Sequence, residues 1–268
     1  MMYNYGNDTR IITYPIFNKS YLGRVLSQIT EIRGVLMNQA RKSEQLLFDH
    51  GSRTPVKEIF QSVCDRLGKH YEAKGFKYFR SRPKLVYKET DLRLEIHMWS
   101  NNNTPGDQVT LEILPYFFSQ RVLLNKKAKG IRQEANDGMI LGYPAIFIQT
   151  LSDEPPGTVR VKHIYGEEMH RRDEASHEAV EIFGHTCNVY KITDEKFNQI
   201  IQFIDQRVLP YLDVLKDSDK LNAFLAGSCK RRLTYAKRSD FYDYISLSFP
   251  EEQERMLSLL QQSSLPQD

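Results

Sequence analysis

The sequence predicts an α+β fold, in which an antiparallel meander sheet of about five or six strands is packed by N- and C-terminal helices. Two observations predict this class. Apolar residues recur every three or four positions near both ends of the chain, which is the period of a helix. In the middle, apolar and polar residues alternate between turn-forming segments, which is the period of a strand. Strand and helix patterns do not alternate regularly, and this argues against a parallel α/β sheet.

The composition is that of an ordinary globular protein, with 268 residues of which 40% are hydrophobic and 26% charged. The net charge of +3 is too small to indicate a nucleic-acid partner unless the charge is clustered. The three cysteines, Cys64, Cys187 and Cys229, are far apart, which argues against a disulfide framework or a zinc ribbon and favours a reducing compartment. Because the first residues contain no apolar run long enough for a signal peptide or a membrane span, we predict a cytoplasmic protein with no membrane partner.

The pattern divides the chain into three parts. Residues 1–53 are predicted to be an N-terminal extension with one amphipathic helix, from Tyr21 to about Phe48. Residues 55–229 are predicted to form the α+β core domain. Residues 230–268 are predicted to be a basic helical C-terminal tail, which begins with a run of lysine and arginine.

Helix-capping residues predict where the core helices begin and end. Thr54 is predicted to cap the first helix, with Pro55 in the first turn, where a missing N–H costs nothing. Gly75 is expected to end this helix in a left-handed conformation. Near the other end of the core, Asp194 is predicted to cap a helix that Pro210 kinks, and two or three shorter helices follow it.

Alternation of apolar and polar residues predicts the strands. KLVYKETDLRLEIHMWS indicates two strands joined by a tight turn, and QVTLEILPYFF indicates a third. A basic connector leads from there to the short apolar run MILGYPAIFIQ. TVRVKHIY and HTCNVYKI are predicted to be the last strands, with a polar segment rich in Glu and His between them.

The polar segment EEMHRRDEASHE contains Glu-x-x-His twice, with His170 and His177 as its histidines. Helical bundles use this spacing to hold two metal ions. On one helix, however, residues seven apart are separated by about 10.5 Å, whereas the ions of such a centre lie roughly 3.5–4 Å apart. We therefore predict a solvated loop or a short exposed helix, and no cofactor. A metal-dependent hydrolase or nuclease, centred on His170 and His177 or on Glu95 and Glu112, is the least favoured of three hypotheses.

Basic residues are clustered in three places, and aromatic residues lie between the lysines and arginines of the first cluster. Cations beside exposed aromatic rings suit a phosphate backbone and stacked bases. The alternative is that Phe76 and Tyr78, at a junction of helix and strand, pack in the core while the lysines face water. The residues that would bind nucleic acid are Lys77, Arg80, Arg82, Lys126, Lys127, Lys230, Arg231, Arg232, Lys237 and Arg238.

Four short motifs carry a family resemblance. KGFKYF is followed by the alternating KLVYKETDLRLEIHMWSN, and nearer the C-terminus VLPYLDVL precedes LNAFLAGS. In this order of motifs the chain resembles a family of small uncharacterised bacterial α+β domains of unknown function, over roughly residues 55–229. The resemblance implies the fold and a role as an interaction module, such as an immunity protein or an accessory part of a phage-defence system. The family has no established catalytic residues, and the resemblance therefore implies none here.

Two functional hypotheses stand beside the metal-dependent enzyme. The first is a non-enzymatic macromolecular interaction protein that binds a protein partner, in its most specific form a bacterial immunity or phage-defence accessory protein. Its contact surfaces would be the loops 100–107 and 166–178. The acidic residues that would contact a basic partner are Glu167, Glu168, Asp173 and Glu174. The second hypothesis is a nucleic-acid-binding component that uses the clustered lysines and arginines.

Overall fold

The structure is a computed structural model, and it describes residues 46–51, 53–100, 108–132, 134, 136–227 and 238–262. The helix predicted from Tyr21 lies outside these residues except for its last positions, which are not helical. Leu46 forms an antiparallel bridge with Thr193, and the N–H of Leu47 donates to the carbonyl of Ile192 at 2.8 Å. The predicted helix therefore does not extend to Phe48.

The described residues form an α+β fold with two sheets, which confirms the predicted class. The strands are β1 (Lys77–Phe79), β2 (Lys84–Lys88), β3 (Leu92–Trp99), β4 (Thr110–Ser119), β5 (Met139–Gly142), β6 (Ile148–Thr150), β7 (Thr158–Lys162), β8 (Met169–Arg172), β9 (Val180–Phe183) and β10 (Thr186–Asn188). The helices are α1 (Val56–Glu72), α2 (Gln120–Ala128), α3 (Tyr143–Ile146), α4 (Asp194–Arg207), α5 (Pro210–Lys216), α6 (Ser218–Ala226), α7 (Arg238–Ser248) and α8 (Gln253–Gln262).

The larger sheet has six strands and is antiparallel, as the alternating pattern predicts. Its order is β1-β2-β3-β4-β10, and β5 pairs with β4 on the same side as β10. Lys84 of β2 lies opposite His97 of β3, which lies opposite Leu114 of β4. These residues share one face, and the residues between them share the other, because side chains alternate along a strand.

The two faces of the larger sheet differ in burial. The helices and one face of the sheet form a single hydrophobic core, and we call that face the inner face. Its fully or almost fully buried residues are Leu85, Leu94, Ile96, Met98, Leu111, Ile113 and Phe117. The opposite, outer face contains charged and aromatic residues. The fold thus has two layers, and the outer face is where polar chemistry is available.

Helix α1 packs against the inner face near β1. A Cβ atom at Gly68 would lie 2.5 Å from the ring of Tyr78, so glycine is needed for the close approach of helix and strand. The cap position is Pro55, which provides no side-chain hydrogen bond, and the prediction that Thr54 caps the helix is therefore wrong. Gly75 follows the helix with φ at 86°, which confirms the predicted left-handed termination.

A second, four-stranded sheet was not predicted. Its order is β6-β9-β7-β8, with β8 antiparallel to β7 and β9 parallel to it. Strand β8 lies within EEMHRRDEASHE, so the prediction of a loop or a short helix is wrong for Met169–Arg172, whereas residues 167–168 and 173–178 are in loops and turns. All four side chains of β8 are exposed. Since neither face of β8 is buried, its sequence contains no apolar alternation that would predict a strand.

The C-terminal helices complete the core, with two differences from the predicted boundaries. Thr193, rather than Asp194, caps α4, because its Oγ1 accepts a hydrogen bond from the N–H of Lys196 at 3.3 Å. Pro210 does not kink a continuous helix; it begins the separate helix α5. Among the described helices, none combines the length and the apolar character that crossing a membrane requires.

Candidate functional site

The outer face of β1, β2 and β3 combines exposed aromatic rings with cations. The register places Phe79 opposite Lys84, and Lys84 opposite His97, so these three side chains form one row across the strands. We call this surface the open sheet face. Its members are Lys77, Phe79, Lys84, Lys88, Arg93, Glu95, His97 and Trp99.

Two large rings on the open sheet face are exposed. Trp99 is 60% exposed and Phe79 is 37% exposed. Trp99 lies two strands and one two-residue step away from Phe79, which corresponds to about 12 Å at ordinary strand spacing and rise. The two rings are therefore too far apart to sandwich one planar group, and each presents its own surface for stacking.

Cationic side chains lie against the rings of this face. The Nζ atoms of Lys77 and Lys84 are 5.0 Å and 5.6 Å from the centre of the Phe79 ring. The guanidinium carbon of Arg93 is 4.3 Å from the centre of the Phe118 ring. Such contacts hold the stems of the side chains along the sheet and keep the charges near its surface.

Glu95 is buried at the centre of the open sheet face and is surrounded by the basic side chains of Lys84, Arg93 and His97. Its carboxylate accepts hydrogen bonds from Nζ of Lys84 at 2.8 Å and lies 2.9 Å from Nε2 of His97, and Nε of Arg93 lies 3.2 Å from it. The hydrogen bond from His97 lowers the pKa of Glu95 to about 2; burial opposes this shift, and Lys84 and Arg93 add to it. Glu95 is thus ionised at neutral pH and orients three basic side chains.

A cleft opens beside Trp99, where the first turn of α1 meets the ends of β2 and β3. Its volume is about 710 Å³, within the range of ligand-binding sites. The lining includes Lys57, Phe60, Arg82 and Lys84 as well as Trp99, and contains no acidic residue. The cleft therefore extends the positive surface of the open sheet face towards α1.

A second groove, of about 750 Å³, lies between α1 and α4 and is also lined by basic residues. More of its basic side chains contact other residues of the protein than is the case in the cleft. Nζ of Lys74 is 2.7 Å from the carboxylate of Asp205, and the guanidinium of Arg66 lies over the ring of Phe197. Since the lining also includes Asp194, this groove is less suited than the cleft to bind an anion.

The structure places the predicted basic residues in different environments. Lys77 lies on the open sheet face and Arg82 lines the cleft. Arg80 lies beside them in the sequence, but its Nε is 3.1 Å from the carboxylate of Asp65. Lys127 is exposed on α2. Outside the described residues lie Lys230, Arg231, Arg232, Lys237 and the side chain of Arg238.

Lys126 is not a surface residue, which corrects its assignment to a nucleic-acid interface. It is 9% exposed, and its Nζ lies 2.9 Å from the carboxylate of Asp137 and also contacts the carboxylate of Asp240. Asp240 in turn accepts a hydrogen bond from the N–H of Gly138 at 2.7 Å. Lys126 therefore holds α2, α7 and the turn before β5 together.

The four predicted protein-binding acids flank strand β8. Glu167 and Glu168 precede the strand, and Asp173 and Glu174 follow it. Asp173 has a structural role, since its N–H donates to the carbonyl of Gly157 and its carboxylate accepts from the N–H of Ala175. The other three acids are exposed. Most of the loop 100–107, the second predicted protein contact, lies outside the described residues.

The candidate metal ligands do not converge. His170 is exposed and lies 3.4 Å from Glu168, and His177 is exposed as well. Glu95 and Glu112 share the outer face, but the register separates them by four residues along the strands, or about 13 Å. Within the part of the chain that the structure describes, there is no group of three or more His, Cys, Asp or Glu side chains positioned to hold a metal ion.

Trp99, His97 and Lys57 are site residues that the sequence analysis did not select. The signal for two of them was present, because Arg93, Glu95, His97 and Trp99 alternate with apolar residues in LRLEIHMW. This alternation places them on one face of β3, although it does not show which charges are neutralised.

Comparisons with known proteins add no identification. No protein-family model matches the chain, and no curated protein or solved structure was found to be significantly similar to it. The resemblance to small bacterial α+β domains therefore stays a prediction from sequence motifs. The functional argument rests on the geometry of the open sheet face and the cleft.

Proposed function

We propose that this protein is a non-enzymatic macromolecular interaction protein and that its ligand is a single-stranded nucleic acid, bound across the open sheet face and into the cleft. The observation that carries the proposal is the exposure of Trp99 and Phe79 on the same sheet face as a group of lysines and arginines. Exposed rings supply stacking surfaces for bases, and the cations between them match phosphates.

The arrangement favours a single strand over a duplex. In a duplex the flat faces of the bases are stacked on each other, so exposed rings such as Trp99 and Phe79 have no base to contact. In a single strand the bases can be splayed out and stacked on aromatic side chains. The separation of about 12 Å between the two rings means that they would contact different bases of the same strand.

Electrostatics supports the same ligand. The members of the open sheet face and the lining of the cleft include six lysines and arginines and one carboxylate, that of Glu95, which gives 6 − 1 = +5; Glu112, on β4 opposite Trp99, borders this set. The six cations are Lys57, Lys77, Arg82, Lys84, Lys88 and Arg93. Because the overall net charge is only +3, positive charge is concentrated at this site. Such a concentration attracts a polyanion and releases counterions when phosphates are neutralised.

The more specific prediction, a bacterial immunity or phage-defence role with a protein partner, continues to rest on the family resemblance. If Glu167, Glu168, Asp173 and Glu174 contact a basic protein, reversing their charges together weakens that complex. A complex of unchanged affinity would remove these acids from the protein-binding hypothesis. Sensitivity to nuclease separates the two ligands, because only a protein partner would stay bound after nuclease treatment.

Tryptophan fluorescence offers a direct test, because Trp99 is the only tryptophan in the chain. Titration with an oligothymidylate at low salt is expected to quench its emission as a base stacks on the ring. Trp99→Ala should weaken binding of a labelled oligonucleotide by about tenfold, since one stacked base contributes roughly 1–3 kcal/mol. Trp99→Phe should retain most of the affinity because it retains a stacking surface.

The matched control is Leu124→Ala, which removes another exposed apolar side chain, 54% exposed, from helix α2. This variant should bind as the unmodified protein does. Equal affinities for the Trp99→Ala and Leu124→Ala variants, or binding that does not change with salt, would contradict the proposal. A higher affinity for duplex than for single-stranded DNA would contradict the choice of ligand.

A further inference from the structure

Strand β8 is an edge strand of the four-stranded sheet. It follows β7 at the end of the order β6-β9-β7-β8, so only one of its two sides is paired within the described part of the chain. All four of its side chains are exposed, and Met169 is 52% exposed. An open edge with an exposed apolar residue is a template for pairing with another strand.

The acidic and the basic residues along this edge lie on opposite sides of Met169 in the sequence. Glu167 and Glu168 precede Met169, and His170 and Arg171 follow it. Glu168 lies 3.4 Å from His170, two residues away, as expected when residues 168–170 are extended and alternate residues share a face. Acids lie on one side of Met169 and bases on the other. A second copy of the segment in antiparallel orientation therefore places bases opposite acids.

Two-fold symmetry limits how two copies of β8 can pair. Residues directly opposite each other in a strand pair point to the same side of the sheet, and side chains alternate along each strand. In a symmetric antiparallel pair of identical strands, one residue must therefore lie opposite the same residue of the partner. With Met169 at this central position, Glu168 lies opposite the partner's His170 and Glu167 lies opposite the partner's Arg171. Each pairing occurs twice, so four pairs of complementary side chains flank one apolar pair.

The next possible registers are less favourable. With His170 at the centre, Glu168 lies opposite the partner's Arg172, but Glu167 lies opposite the partner's Asp173, which is a pair of like charges. With Arg171 at the centre, the two Arg171 side chains lie opposite each other. Like charges directly opposite destabilise a strand pair, and opposite charges stabilise it. The charge pattern therefore favours the register with Met169 at the symmetry axis, in which every charged pair is complementary.

We infer that this chain forms a symmetric homodimer through antiparallel pairing of β8 with β8 of a second copy, which joins two four-stranded sheets into one of eight strands. The inference does not depend on the proposed ligand, because none of the β8 residues belongs to the open sheet face. Charged residues at an edge can instead serve to keep a protein monomeric. The measured oligomeric state distinguishes these two roles.

The decisive experiment uses charge-reversed variants and analytical ultracentrifugation from micromolar to near-millimolar protein. The first variant carries Glu167→Arg and Glu168→Arg, and the second carries His170→Glu and Arg171→Glu. Each variant alone places like charges opposite each other and should be monomeric. An equimolar mixture should form a heterodimer, because every cross-strand pair is then complementary. Recovery of dimers in the mixture also shows that both variants are folded.

Cysteine cross-linking tests the register. Met169→Cys should form a disulfide-linked dimer under mild oxidation, because residues opposite each other in adjacent strands have Cα atoms within disulfide range. Leu124→Cys, at an exposed site on α2, is the control and should cross-link no more than the unmodified protein. A protein that is monomeric throughout the concentration range overturns the inference. A dimer that persists in both charge-reversed variants overturns it as well, by placing the interface elsewhere.

Discussion

Two lysine-containing sites in this molecule look alike in sequence and differ in structure. Lys84, on the open sheet face, lies beside one carboxylate that it shares with Arg93 and His97. Lys126, in the second basic cluster, lies between two carboxylates and is almost completely buried. The first site has an excess of positive charge and the second has none. The position of the acidic residues in space, rather than the clustering of lysines in the sequence, therefore determines which basic segment is available to a ligand.

The largest effect on stability is expected when the buried ion cluster of Lys126, Asp137 and Asp240 is disrupted. Lys126→Met leaves the carboxylates of Asp137 and Asp240 without their cation in a buried environment, which should lower the free energy of unfolding by about 3 kcal/mol or more. Urea denaturation measures this change. Lys127→Met, at the exposed neighbouring position, is the control and should change stability little. Similar midpoints for the two variants would show that the buried ion cluster contributes little to stability.

A smaller effect on stability is expected when Glu95 of the open sheet face is substituted. Glu95→Gln removes the carboxylate that Lys84, Arg93 and His97 surround, and it should lower the free energy of unfolding at neutral pH by about 2 kcal/mol. The same substitution removes the only negative charge of the open sheet face. It should therefore increase the affinity for an oligonucleotide while it decreases stability, and a decrease in affinity would contradict the proposed site.

The pH dependence of Glu95 follows from its lowered pKa. The folded state binds a proton to Glu95 only near pH 2, whereas the unfolded state does so near the ordinary value of 4.5. The contribution of this carboxylate is therefore fully present above pH 4.5 and is lost as the pH falls towards 2. Unfolding measured across this window should show a steeper loss of stability for the unmodified protein than for Glu95→Gln. Parallel curves would indicate that Lys84, Arg93 and His97 do not stabilise the carboxylate.

The smallest change is expected when cations without a carboxylate partner are removed. Lys77 and Arg82 form no ion pair with a described carboxylate, so Lys77→Met with Arg82→Met should leave stability nearly unchanged. Each phosphate contact on a single strand contributes about 0.7 to the slope of log affinity against log salt. The double variant should therefore reduce that slope by about 1.4. Lys220→Met, at an exposed site on α6, is the control, and an equal reduction there would exclude a localised interface.

The sequence predicted most of the larger sheet because one of its faces is buried. The alternation in KLVYKETDLRLEIHMWS follows directly from the burial of residues such as Leu85 and Ile96, and the same alternation placed Glu95 and His97 on the opposite face. Gly75 was predictable from local conformation alone, since a left-handed residue after a helix favours glycine. Local rules thus succeeded where burial or backbone conformation alone fixes the residue type.

The remaining features depend on contacts between distant segments. Lys126 could not be recognised as buried from its own segment, because Asp240 reaches it from a different helix. Strand β8 could not be recognised because it contributes nothing to the core. The alternation placed Trp99 on the outer face of β3, but it did not show that the ring is 60% exposed, since tryptophan is highly buried on average. The proposed ligand depends on the exposure of Trp99, and the proposed dimer depends on the unpaired edge of β8.

The position of β10 has a consequence for the order in which the sheet assembles. Residues 89–91 join β2 to β3 and residues 100–109 join β3 to β4, whereas the whole four-stranded sheet lies in the chain between β4 and its other partner, β10. The second sheet is thus an insertion between two paired strands, and closing this long segment costs entropy before the contact between β4 and β10 is formed. The hairpins around β3 should therefore form early, and the edge at Thr186–Asn188 should close last and reopen first, with the fastest amide exchange in the sheet.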